Sequence, residues 1–246
     1  QKSGLVGTWP DCRKRQAMKD TALTLTALLA LHSLPLAAQP LCANTGPAQP
    51  VALFERFTSA DCASCWQDNT TPAPGPDALV LDWIVPGTLG DDAPLAPAAT
   101  RDALLRLQAL GRAVTAVTDV HTAPVEPVHG LHLRVGQGPA VNDYMGATAE
   151  FSARQPGATW SFHLLLVESL PAGTEGSPVA RNIVRNTLQG TWDKRSKLSK
   201  SKLDRWAELR PMYFPEGAQP ERLRTVGWVQ DAQGRVVAAA QSVCGG

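Results

Sequence analysis

Cys62-Ala63-Ser64-Cys65 is the one sharp chemical motif in the sequence. Two cysteines three apart, placed directly after an apolar strand, can close a small disulfide ring. If a helix starts there, its dipole stabilises a thiolate at the first sulfur. That is what thiol-disulfide exchange requires. The same spacing also suits an inert structural bridge or half of a zinc site. Zinc would need two further ligands. His129 and His132 are three apart, but their strand-like setting sends them in divergent directions, so no metal is expected.

Other constellations are weaker. Asp119 and His121 near a strand end lack a nucleophile placed with them, and an exposed pair is the expectation. Gly136 and Gly138 miss the third glycine and the helix start of a phosphate loop, and no Gly-x-Ser-x-Gly elbow occurs. Lys194, Arg195, Lys197, Lys200, Lys202 and Arg205 crowd six cations into twelve residues, diluted by Asp193 and Asp204. Without interleaved aromatic rings this reads as a solvated loop rather than a nucleic-acid surface.

The elements that must hold the cysteine pair follow from periodicity. Residues 51–57 and 79–85 are short apolar runs, the second nearly continuous and so buried on both faces. Between them Pro72, Pro74, Gly75 and Pro76 leave little room for a long helix after Cys65. Thr100 caps the best helix, with Asp102 in its first turn and Ala103, Leu104, Leu107 and Leu110 at helical spacing. Strands are expected over 113–120, 130–135, 160–167, 224–230 and 235–240, while 179–188 mixes β-branched residues with Asn and Arg. Gly234 turns the last two into a hairpin. The expected architecture is a mixed α/β first part, 45–155, followed by a β-rich part, 156–246.

Length and composition agree with a globular protein. The chain has 246 residues, 43% hydrophobic and 18% charged, with net charge +1 and five cysteines. No basic excess points to nucleic acid. From Met18 a charged start, an apolar run over 21–31, Pro35 and Ala37-Ala38 follow in the order of a secretory signal peptide, expected to be cut after Ala38. The run is too short to span a bilayer. A lipid anchor at Cys42 ranks lower because Gln39-Pro40-Leu41 lacks small residues. Residues 1–17 read as translated leader. Removing 38 residues takes five of the 23 basic and two of the 22 acidic groups, leaving net charge −2. It also takes Cys12 and leaves Cys42, Cys62, Cys65 and Cys244, the even count that disulfides in an oxidising compartment need. Four cysteines allow three pairings, and the adjacency of Cys62 and Cys65 favours that pair, with Cys42 to Cys244 as the other.

Glu55-Arg56-Phe57-Thr58-Ser59 followed by Cys62-Ala63-Ser64-Cys65 resembles an uncharacterised family of bacterial secreted proteins with a thioredoxin-like fold. Its members carry an ELFTS-type strand end before a CSSC-type pair. Asp82-Trp83, Thr100-Arg101, residues 138–142, 182–192 and 229–240 are similar to further short stretches of that family. The resemblance implies an α/β fold with a thioredoxin-like core, in a periplasmic or secreted protein. It implies Cys62 as attacking thiolate and Cys65 as resolving thiol, acting on a periplasmic thiol or disulfide protein with no cofactor. Pro139 would then take the place of the cis-proline facing the pair. An ordinary turn proline is the alternative. Trp66 stands where the family has Pro, and the following helix is truncated. A non-catalytic module with two structural disulfides is therefore the rival function.

Overall fold

The computed structural model describes residues 42–43, 49–154, 158–193, 195, 198 and 203–244, all within the unit 39–246. The expected leader, the signal peptide and most of the basic run lie outside the described residues. Eleven strands occur in chain order among the described residues. They are β1 (Cys42–Ala43), β2 (Ala52–Ser59), β3 (Ala78–Val85), β4 (Thr118–Pro124), β5 (Leu131–Val141) and β6 (Tyr144–Ala153), then β7 (Trp160–Leu170), β8 (Arg181–Trp192), β9 (Asp204–Tyr213), β10 (Leu223–Gln230) and β11 (Val236–Gln241). The α-helices among them are the four-residue α1 (Ala63–Trp66) and α2 (Arg101–Ala109).

The expected α/β, thioredoxin-like core is corrected by this architecture. Strand takes 52% of the described residues against 12% helix, and the strands form two sheets. The larger sheet runs β11-β10-β7-β8-β3-β2-β4 and the smaller β1-β5-β6-β9. Each therefore draws strands from both sides of residue 156. The physical reason lies in the strands that the hydrophobic pattern conceals. In β6, Ala147, Ala149 and Ala153 point inward between Thr148, Glu150 and Ser152, so its buried stripe is mostly methyl groups. In β9 only Trp206 and Met212 supply bulk to the core, among Arg, Glu and Pro. These strands convert what looked like loop into a sheet.

The two sheets enclose an aromatic core. Phe151 lies between Trp160, Trp192 and Trp206 with ring centroids 5.3 to 5.7 Å apart, and Phe162 stacks on Trp192 at 4.4 Å. Trp192 and Trp206 are fully buried, and rings of this size dominate core energetics. On its other side the larger sheet packs Leu53, Phe57, Leu81 and Trp83 against Ala103 and Leu107 of α2. Thr100 Oγ1 accepts the Ala103 N–H at 3.2 Å, the predicted cap. The centre of this sheet is parallel, β2 with β3 and β3 with β8, and all other pairings in it are antiparallel.

The central strands also bury the charges that interrupt their apolar runs. Glu55 is fully buried on β2, but its carboxylate accepts Arg106 Nε at 2.8 Å, Arg106 Nη2 at 2.7 Å and the Trp83 indole N–H at 3.1 Å. A buried charge is tolerable only when paired and hydrogen-bonded in this way.

Candidate functional site

β2 ends at Ser59, and Ala60 and Asp61 turn the chain into α1. The Cys62 N–H donates to Ser59 O at 3.1 Å, and Cys62 occupies the cap position of α1. Cys62 and Cys65 are disulfide-bonded, and both are half-buried. Cys62 Sγ accepts the backbone N–H of Cys65 at 3.2 Å, with Ser64 Oγ at 3.5 Å. An N–H aimed at sulfur favours the thiolate over the thiol once the bond is opened. The helical turn is only four residues long, so its dipole adds little. Truncation by the proline-rich stretch is seen as expected.

Asp61 precedes the pair and fastens it to the loop after β3. Its carboxylate accepts the Thr88 N–H at 2.7 Å, Thr88 Oγ1 at 3.0 Å and the Leu89 N–H at 3.3 Å. Gly87 lies so close that a Cβ there would overlap the Asp61 carboxylate. Glycine is required at that position by contact rather than by backbone conformation.

Beneath α1 lies a buried ion cluster. Asp82 on β3 accepts Arg56 Nε at 2.7 Å and Arg181 Nη1 at 3.4 Å on one oxygen, and the Asn182 N–H at 2.7 Å on the other. Two guanidiniums thus face one carboxylate, and backbone carbonyls share the excess charge. Arg56 donates to Pro72 O at 3.0 Å, and Arg181 to Trp66 O at 3.1 Å. Arg181 also stacks on the Trp66 ring at 4.7 Å, a cation–π contact. Burial, then repulsion from Arg56, pulls the Arg181 pKa below its ordinary value, opposed by Asp82. The Trp66 indole N–H donates to Glu175 O at 2.8 Å. The residue directly after Cys65 is therefore the anchor of the whole turn. Trp66, Arg56 and Arg181 were not singled out from sequence as site residues. The available signal was charge inside apolar strands: Arg56 and Asp82 must find partners once buried, and they are of opposite sign.

Pro139 is not brought to the pair. It lies on β5 in the smaller sheet, behind a trans peptide bond, and lines a hollow with Cys42, Gly138 and Cys244. Cys42 and Cys244 form the second disulfide, the expected pairing, across 202 residues. Gln137 secures that region: its Nε2 donates to Leu223 O at 2.9 Å, and its Oε1 accepts the Thr225 N–H at 2.9 Å and the Ser242 hydroxyl at 2.7 Å.

The remaining candidates disperse. Asp119 forms a two-pronged ion pair with Arg112 at 2.7 and 2.5 Å, which holds its carboxyl below the usual range. His121 sits beside it on β4, and burial lowers its pKa. His129 and His132 are exposed. Among the described residues no group of three or more His, Cys, Asp or Glu side chains is placed to hold a metal. No described helix is long and apolar enough to cross a membrane.

No family model matches the chain, and no curated protein matches it. Among solved structures it is similar to HBP35 of Porphyromonas gingivalis, with 9% identity, a TM-score of 0.43 and coverage of 80% of this chain and 76% of that one. It is also similar to the protein AGR_C_4864 from Agrobacterium tumefaciens, with 13% identity, a TM-score of 0.37 and coverage of 80% and 96%.

Proposed function

We propose that the protein is an exported thiol-disulfide exchange protein acting through Cys62 and Cys65. The observation that carries the reading is the half-exposed Cys62–Cys65 disulfide at the end of β2, with the Cys65 N–H aimed at Cys62 Sγ. In the oxidised form a partner thiolate attacks Cys62 Sγ, forming a mixed disulfide and expelling the Cys65 thiolate. A second partner thiol, losing its proton, then attacks the partner sulfur, and Cys62 leaves as thiolate. Two electrons pass from the partner dithiol to the pair, and the reverse sequence oxidises a partner. No dissociable cofactor takes part. Two disulfides suit an oxidising compartment, in keeping with the leader-like segment and the resemblance to secreted bacterial proteins.

Trp66 supports a second reading. Buried, stacked on Arg181 and bonded to Glu175, it ties α1 down as a structural staple would. Trapping separates the two. Cys65→Ser exposed to a periplasmic extract should accumulate mixed disulfides through Cys62 if exchange occurs, and a clean monomer after full redox cycling of the native pair establishes the staple.

A further inference from the structure

The two sheets treat their free edges differently. In the smaller sheet β9 is an edge, and the Phe214 N–H to Asp143 O bond fixes which of its residues face β6. Residues 205, 207, 209, 211 and 213 turn their backbone groups outward, and the row is interrupted at four of those five positions. Arg205 O accepts the Leu198 N–H at 2.7 Å, Leu209 O accepts Arg210 Nη1 at 3.4 Å, and Tyr213 O accepts Asn186 Nδ2 at 2.8 Å. Pro211 has no N–H to offer. These are the devices that keep an edge from recruiting another strand.

β4, the edge of the larger sheet beside β2, carries fewer of them, with Pro124 and its missing N–H at the C-terminal end. The Ser59 N–H to Val117 O and Val125 N–H to Val51 O bonds, both 2.9 Å, fix the odd-numbered residues toward β2. Thr118, Val120 and Thr122 therefore point their backbone groups outward. Asp119 Oδ1 takes the Val120 N–H at 2.9 Å. The N–H and C=O of Thr118 and Thr122 have no partner among the described residues. Thr122 is exposed, and Thr118 and Val120 are half-buried. The open stretch ends at Val125, which bridges to Val236.

The position of this edge gives it a meaning. Val117 bonds Ser59, and Ser59 O accepts the Cys62 N–H, so a strand added to the open side of β4 lies two strand spacings, about 10 Å, from the segment that enters the cysteine pair. We propose that residues 118–122 of β4 bind an extended polypeptide segment by strand addition and hold it within reach of Cys62 for a chain that runs on from the strand. The partner is recognised through its backbone, donor to acceptor, with two bonds at Thr118 and two at Thr122. Val114 and Val117, 61% and 57% exposed, provide apolar contact at the cysteine end. The inference rests on the thiol-exchange reading for why the strand is led there, and on the edge geometry alone for the binding.

Cys65→Ser leaves Cys62 free with Cys42–Cys244 intact, so Cys62 can be alkylated by a bromoacetyl peptide, four glycines followed by Thr-Val-Thr-Val-Thr. Amide hydrogen exchange at Thr118 and Thr122 should slow at least tenfold, and the same peptide methylated on its backbone nitrogens should give no protection. Rates unchanged within twofold, or equal protection by the methylated peptide, overturn the proposal. Alkylation needs no exchange chemistry, so this outcome is independent of whether Cys62 traps mixed disulfides.

Discussion

At the residue scale the decisive chemistry is that of charges forced under the cysteine turn. Asp82 is the only carboxylate bonded to both Arg56 and Arg181 among the described residues, so Asp82→Asn would leave two buried guanidiniums facing a neutral amide. Breaking a buried pair by removing one partner costs about 3–5 kcal/mol. Urea unfolding of Asp82→Asn should show a loss of that order, while Asp68→Asn, in the loop after α1, where an amide oxygen can still accept the Thr70 N–H and hydroxyl, should stay within about 0.5 kcal/mol. His163 offers a second test. Burial, then the Arg106 charge, pushes its pKa down to about 4, against 6.5 when free, while its ring stacks on Trp228 at 4.3 Å. The folded state therefore binds fewer protons than the unfolded chain between those values, so stability is full above pH 6.5 and falls as pH drops toward 4. Two and a half pKa units correspond to about 3 kcal/mol. The loss between pH 7 and pH 4 should be smaller by that amount in His163→Gln, as read from denaturant midpoints.

At the element scale the sequence was legible where side chains were bulky and obscure where they were small. β2, β3, α2 and the β10–β11 hairpin lie within a few residues of their expected places because Leu, Val, Phe and Trp mark them. β6 and β9 escaped notice: alanines line one and charged residues interrupt the other. A turn signal was nevertheless present. Asn142 and Asp143 both adopt positive φ, 49° and 62°, and join β5 to β6 as a two-residue hairpin. Reading Asn-Asp as that turn would have extended β5 through Gly138-Pro139 and revealed its partner, and with it the second sheet. Pro139 would then have belonged to a strand rather than facing the cysteine pair. The pair itself was legible as a motif, but its foundation was not, since Trp66 and Arg181 are 115 positions apart and meet only through the fold. Pro211 provides the test at this scale. Pro211→Thr restores an outward N–H to the β9 edge, and light scattering should show a larger mean mass than for the parent chain at the same concentration.

For the whole molecule, the Cys42–Cys244 bridge is the largest single constraint. Closing a span of 202 residues removes chain entropy from the unfolded state worth on the order of 5 kcal/mol. Cys42→Ser with Cys244→Ser should lower the denaturation midpoint accordingly, leaving the Cys62–Cys65 bond in place by mass. One end of the long bridge, Cys42, is buried and the other, Cys244, half-buried, while Cys62 and Cys65 are both half-buried. Glutathione should therefore open the Cys62–Cys65 ring first, with carboxymethylation after brief reduction found at those two residues.

That same bridge makes residues 42–244 topologically a ring. A protease that cuts once in the 171–180 loop, where Gly173 and Gly176 carry positive φ, would open the ring without releasing a fragment. The nicked protein should migrate as a single species without reductant and as two pieces with it. One cut can therefore be survived as a change of chain ends, and new termini could be placed in that loop while the old ones are joined by a peptide linker across the bridge.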